Sequence, residues 1–191
     1  LVNLGEERAW ITFDKENLDP PTQEMIHMAK SDSFFIRAIV STDTTNFAQT
    51  SIDLGAYVDA LGKSVLRIHN IAVKYGGPLA SYSGPAGSNH TCAFQLTTQS
   101  QTALVDVTDK SVISTGVMSV SSDAGTVVTM MNDSMDIAPQ NWTNGYLVGV
   151  EQIYLGVDQS ADIFDDVGIV LECTVETLSS SAAMALALSQ Q

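Results

Sequence analysis

The chain has 191 residues, 45% of them hydrophobic and 16% charged, enough apolar material for one buried core and the opposite of a disordered composition. Eight Lys and Arg stand against 22 Asp and Glu, a formal charge of −14, which argues against direct binding to nucleic acid because affinity for a phosphate backbone comes from cations displacing counterions. The longest apolar run, Ala182–Leu188, falls far short of the roughly 20 residues that cross a bilayer as a helix.

Residues 1–32 read as an N-terminal arm. Asp19-Pro20-Pro21-Thr22-Gln23-Glu24 can start one short helix, with Asp19 as N-cap and Pro20 in the first turn, running to about Lys30. The arm also carries Trp10, Ile11, Phe13, Leu18, Met25, Ile26 and Met28. That is too much apolar area for a free tail, since each large side chain gains about 1.5–3 kcal/mol on full burial. These residues must pack on their own domain or on a neighbour's.

From residue 33 the pattern changes to period two, the signature of half-buried strands. Phe34, Ile36, Ala38 and Val40 alternate, and after a Thr-Asp-Thr-Thr-Asn turn cluster so do Ile52, Leu54, Ala56 and Val58. In the segment Val65 to Tyr75, Leu66 and Ile68 hold one phase while Ile71, Val73 and Tyr75 hold the other. One extra residue near His69-Asn70, a β-bulge, would produce that slip. A loop containing Gly84-Pro85-Ala86-Gly87 leads to Cys92, Phe94 and Leu96, then to Ala103, Val105 and Val107, and to segments near 112–120 and 126–131. Residues 146–157 and 167–178 close the set, and in the last Val167, Ile169, Leu171, Cys173 and Val175 face one way while Glu172, Thr174 and Glu176 face the other.

Nine strand candidates follow one another without intervening helices, which predicts an all-β fold: an antiparallel β-sandwich over residues 33–178. About eight strands in some 150 residues is the size of a single jelly roll, whereas an immunoglobulin-like sandwich takes seven in about 100. Residues 179–191, rich in Ser, Ala and Leu, form a C-terminal extension, either a short helix or an arm on a neighbour.

Charge is unevenly placed. Lys110 is the last basic residue, and residues 111–191 hold ten acids. Such a surface repels itself at low ionic strength and is screened in molar salt, where the Debye length falls to about 3 Å. It fits a protein made for salty surroundings as readily as an ordinary acidic one.

No constellation for catalysis is legible. G-x-S-x-G, H-E-x-x-H and Walker loops are missing, and His27, His69 and His90 are too widely spaced for a paired metal site. No cofactor is implied, and an enzyme with a dispersed site is the least favoured reading. Cys92 and Cys173, 81 positions apart, read as buried free thiols, with a single disulfide as the alternative. Asp158, Asp162, Asp165 and Asp166 crowd one loop and are the calcium candidates, since calcium takes several oxygen ligands from such loops. EF-hand spacing is absent, and a solvated acidic loop is the plainer reading.

The run Ser51-Ile52-Asp53-Leu54-Gly55-Ala56-Tyr57-Val58-Asp59-Ala60-Leu61-Gly62-Lys63-Ser64-Val65-Leu66-Arg67-Ile68-His69 and the closing Gly168-Ile169-Val170-Leu171-Glu172-Cys173-Thr174-Val175-Glu176 resemble virion proteins. In pattern and size over about residues 33–178, the chain resembles the single jelly-roll major capsid proteins of tailless icosahedral DNA viruses, of the kind found in halophilic archaea. The resemblance implies a non-enzymatic virion protein that self-assembles into an icosahedral capsid, with copies of itself and other capsid proteins as partners and an internal viral membrane beneath. The acidic start, with Glu6 and Glu7 against Arg8, fits a shell that does not touch nucleic acid directly. The rival reading is a secreted or cell-surface β-sandwich that binds carbohydrate or protein, with calcium at the 158–166 loop and with Trp142 and Tyr146, or Tyr75 and Tyr82, as exposed loop aromatics stacking on sugar rings.

Overall fold

The computed structural model describes residues 31–41, 46–59, 63–76, 89–122, 128–131, 141–160 and 166–191. Nine strands lie among them: β1 (Phe34–Ser41), β2 (Ala48–Asp53), β3 (Ser64–Tyr75), β4 (Asn89–Thr97), β5 (Val112–Ser122), β6 (Val128–Met131), β7 (Asn141–Val148), β8 (Gln152–Gln159) and β9 (Asp166–Thr177). One helix follows, α1 (Ser180–Ser189). The first sheet has the order β1-β9-β3-β7 and the second β2-β8-β4-β5-β6, with every ladder antiparallel.

The pairing is nested. β1 pairs β9, β2 pairs β8, β3 pairs β7 and β4 pairs β5. The chain therefore behaves as one long hairpin rolled across two sheets, which is the jelly-roll arrangement. β6 adds a fifth strand on the outer edge of β5.

Alternation in sequence becomes the core. Val40, Ile52, Leu66, Ile68, Ile71, Phe94, Leu96, Ile113, Val120, Val148, Ile153, Leu155, Val157, Val167, Ile169 and Leu171 close on one another between the sheets. The phase slip in β3 is a bulge: His69 is the extra residue, so Ile68 pairs Cys173 and Asn70 pairs Glu172. Both Ile68 and Ile71 thereby reach the core.

Three strand expectations need correction. Ile52 to Val58 is not one strand, because β2 ends at Asp53. The Asp53 carboxylate accepts the Gly55 N–H at 2.8 Å, and the Tyr57 and Val58 N–H groups turn back to the Leu54 carbonyl at 2.8 and 2.9 Å. Leu54 and Val58 are buried four residues apart on that turn while Ala56 is exposed, so a helical spacing had mimicked alternation. Residues 103–107 form no strand. The buried Gln95 side chain takes the place of a paired strand there, donating to the Val105 carbonyl at 2.7 Å and accepting its N–H at 3.0 Å. Residues 146–157 divide at Gly149-Val150-Glu151 into β7 and β8, which belong to different sheets.

The C-terminal extension is a helix. Ser179 caps it by accepting the Ala182 N–H. Its far end is strapped to the end of β7 and to two loops: Gln190 accepts the Gly149 N–H at 2.8 Å and donates to the Leu147 carbonyl at 2.7 Å, while Thr98 donates to the Gln190 carbonyl at 2.9 Å. Gly149 permits this approach, since a Cβ there would meet Leu186 at 3.1 Å. The 19–30 helix expectation lies outside the described residues.

Candidate functional site

The outer faces of the two sheets are finished differently. The second sheet is covered in part by its own chain, though Ser51, Asp53, Thr91 and Gln152 on its outer face are exposed. Residues 98–111, between β4 and β5, fold back over it and are held by the Gln95 grip on Val105. Phe47 lies over Gly156, where a Cβ would come within 2.8 Å of the ring. A space of about 270 Å³ remains between this loop and the sheet, lined by Thr91, Ala93, Leu104 and Asp158.

The first sheet is covered over part of its outer face. Near α1, Val65, Thr174 and Glu176 are buried although they face away from the core. Arg67 on β3 clamps Glu176 on β9 with two parallel hydrogen bonds, Nε to Oε1 at 2.7 Å and one terminal nitrogen to Oε2 at 2.6 Å, and its other terminal nitrogen donates to the Asn144 carbonyl. His69 Nε2 shares a 3.0 Å hydrogen bond with the Thr174 hydroxyl. Glu176 faces away from the core, as the alternation along β9 predicts, yet it is only 7% exposed. A carboxylate can be buried there because a bidentate guanidinium satisfies it.

Toward the opposite end the same sheet is bare. Phe35 and Ile39 on β1 are 55% and 60% exposed. Cross-strand register places Phe35 beside Glu172 and Asn70, Arg37 beside Val170 and Ala72, and Ile39 beside Gly168 and Lys74. Arg37 leans over the Phe35 ring at 5.9 Å. β1 is also an edge strand, with the β9 ladder on one side. A long edge carrying apolar side chains and few charges is a template for pairing with another chain.

The second bare surface is α1. Ala183 and Ala187 are buried, but Met184 and Leu188 are 52% and 65% exposed. From Ala182 to Leu188 the helix has no polar side chain on any face, a composition that belongs to a helix covered all round. Beside its C-terminal end opens a cleft of about 590 Å³ lined by Gln99, Gln152, Tyr154, Glu151 and Gln190 among others.

The residues singled out from sequence fall as follows. Trp10, Ile11, Phe13, Leu18, Met25, Ile26 and Met28 lie outside the described residues, as do Asp162, Asp165 and Tyr82. Ser31, the first described residue, pairs with β9: its N–H donates to the Val175 carbonyl at 3.0 Å and its hydroxyl accepts the Val175 N–H at 2.8 Å. Asp158 ends up on β8 opposite Ala93 and Asp166 on β9 opposite Ser41, which donates to its carboxylate at 2.9 Å. Among the described residues no three His, Cys, Asp or Glu side chains come together as a metal cluster.

Trp142, Tyr146 and Tyr75 are not exposed loop aromatics. All three stand on strands and pack against the core: Trp142 and Tyr146 with ring centroids 5.8 Å apart, Tyr75 edge-on to Phe94 at 6.4 Å. Burial also holds the Tyr146 hydroxyl above its usual range, against the opposing effect of its Gln190 hydrogen bond. Cys92 and Cys173 are free, buried on inward faces of opposite sheets, and desolvation pushes both thiols up to about 12. They are neutral and inert at ordinary pH.

The bare face around β1 was missed in the sequence although the signal was present. Phe35 and Ile39 interrupt the alternation of Phe34, Ile36, Ala38 and Val40, making β1 apolar on both faces. No protein-family model matches the chain, and no curated protein is similar to it in sequence.

Proposed function

We propose that this chain is a structural subunit that assembles with copies of itself into a closed shell, a single jelly-roll capsid protein of an icosahedral virion rather than an enzyme. The observation that carries this reading is the unequal finish of the fold. One sheet carries its own loop over part of its outer face and exposes no large apolar side chain among its described residues, while β1 and α1 present Phe35, Ile39, Met184 and Leu188 to solvent. Side chains of that size left outside a well-packed core are the material of repeated interfaces.

The remaining features fit the same role. His69, Thr174, Arg67 and Glu176 are engaged in holding strands together, and the two thiols are buried and neutral, so none of these is poised for chemistry. Other capsid proteins are further partners, and a viral membrane beneath the shell is compatible with a net charge of −14. Residues 1–30, which carry Trp10, Ile11, Phe13, Leu18, Met25, Ile26 and Met28 and lead into the fold at Ser31, are the strap this reading proposes between neighbours.

Size-exclusion chromatography with light scattering, in molar salt, tests this reading. The intact chain elutes as large assemblies, and a chain lacking residues 1–18 elutes as a folded species no larger than a small oligomer. Normal assembly by the truncated chain contradicts the role of the strap, and a monomeric intact chain at high concentration contradicts the reading altogether.

The cleft beside α1 favours one second reading. Its neutral amides and Tyr154 suit a polyhydroxylated ligand, as a surface carbohydrate-binding domain would use. Glycan binding by a chain that stays monomeric replaces the shell reading with this one.

A further inference from the structure

We infer that the bare outer face of the first sheet, centred on Phe35, Arg37, Ile39, Ala72 and Lys74, is the surface on which a second copy of this chain docks, and that the second copy meets it with a carboxylate-bearing surface. The inference rests on the shell reading and names the interface that it requires.

Charge identifies the occupant. The described cations are Arg37, Lys63, Arg67, Lys74 and Lys110, and the first four lie on β1, on β3 or in the turn that opens β3. The described residues of the second sheet's strands carry Asp53 and Asp158 and no Lys or Arg, and the loop over that sheet adds Asp106 and Asp109 against Lys110 alone, which leaves this side net acidic. In a chain of net charge −14, two copies brought together on their acidic sides repel. The first sheet is where that repulsion is absent, because Arg37 and Lys74 there offset Glu172 and Asp166.

Neither Arg37 nor Lys74 is ion-paired with a carboxylate among the described residues, so both cations are available to a partner. Phe35 and Ile39, both more than half exposed, flank Arg37 along β1 and supply the apolar part of the face. A cation-bearing face meeting an acid-bearing face is a heterologous contact. It repeats from copy to copy instead of stopping at a dimer, and it yields a closed ring where the rotation between copies closes.

Sedimentation velocity of the full chain tests this, at one fixed salt concentration at which the unaltered chain associates. Two double variants are compared with it: Phe35→Ser with Ile39→Thr, and Arg37→Glu with Lys74→Glu. Each is expected to weaken association at least about tenfold, since acids placed opposite acids oppose docking and apolar anchors carry much of the binding. Thermal midpoints should stay near that of the unaltered chain, because the altered side chains are exposed.

Unchanged association of both variants overturns the docking face while leaving the shell reading intact. An unaltered chain that never associates removes both. Loss of thermal stability in the Phe35→Ser/Ile39→Thr variant with association unchanged assigns the face to the chain's own residues 1–30 and overturns the inference. A charge variant that associates as before, beside an apolar variant that does not, overturns the acidic partner surface.

Discussion

Removing the charge from Glu176 should cost more than any surface carboxylate would. Arg67 and Glu176 retain 19% and 9% of their side-chain exposure and meet at 2.6 Å. Their clamp ties β3 to β9, and the Asn144 contact extends it to β7. The stem of Arg67 also runs under Gly145, where φ is +72° and an added Cβ would lie 2.5 Å from the arginine Cγ. Breaking a buried pair by removing one partner costs about 3–5 kcal/mol, because the survivor is left charged and uncompensated. Water reaches Arg67 here, which lowers the figure, so Glu176→Gln and Arg67→Met should each cost about 2–3 kcal/mol. The double variant should cost about as much as either single one, giving a coupling of about 2 kcal/mol in a double-mutant cycle. Urea unfolding with unchanged m-values measures all three. A loss below about 0.5 kcal/mol for Glu176→Gln, the size of an exposed pair, or strict additivity in the double variant, would refute the argument.

Leu171, fully buried on β9, should lose about 2–5 kcal/mol on replacement by Ala, read from the same unfolding midpoints. Ser114 sits among core residues of β5 with no partner for its hydroxyl among the described residues, so Ser114→Ala should be neutral or stabilise by about 1 kcal/mol, and a loss of more than that would mean the hydroxyl is satisfied. The thiols of Cys92 and Cys173, raised from 9.0 to about 12 in the folded chain, ionise first in the unfolded chain, so stability should fall as pH rises above about 9, by about 1.4 kcal/mol per thiol at pH 10. Denaturant midpoints at pH 8 and 10 check the sign, and a flat profile refutes it. Dialysis from molar to low salt without divalent cations should shrink the assemblies in light scattering as screening of the acidic surface is lost, and constant size would contradict the charge argument.

Much of the sandwich was legible because alternation is a direct record of a two-faced environment. β9 reads without ambiguity, since its inward residues Val167, Ile169, Leu171 and Cys173 are all buried. The β3 bulge was equally plain, because an inserted residue inverts everything after it. Failures occurred where another device produced the same period. Leu54 and Val58 satisfy both a strand and a helical turn, and the turn won because Asp53 captures the Gly55 amide. Val105 alternates with its neighbours but is held by the Gln95 side chain instead of a strand. The docking surfaces were less legible than the fold. Apolar residues on both faces of β1 show that something must cover each of them, but which face packs on the second sheet is set by pairing with β9 far along the chain, which β1 alone does not record.

Electron microscopy of the purified full chain in molar salt tests the central claim most directly. The account predicts regular closed shells, or the capsomers from which they are built, with each subunit's first sheet facing a neighbour. A field of isolated monomers at concentrations where light scattering is strong for other shell proteins would contradict it.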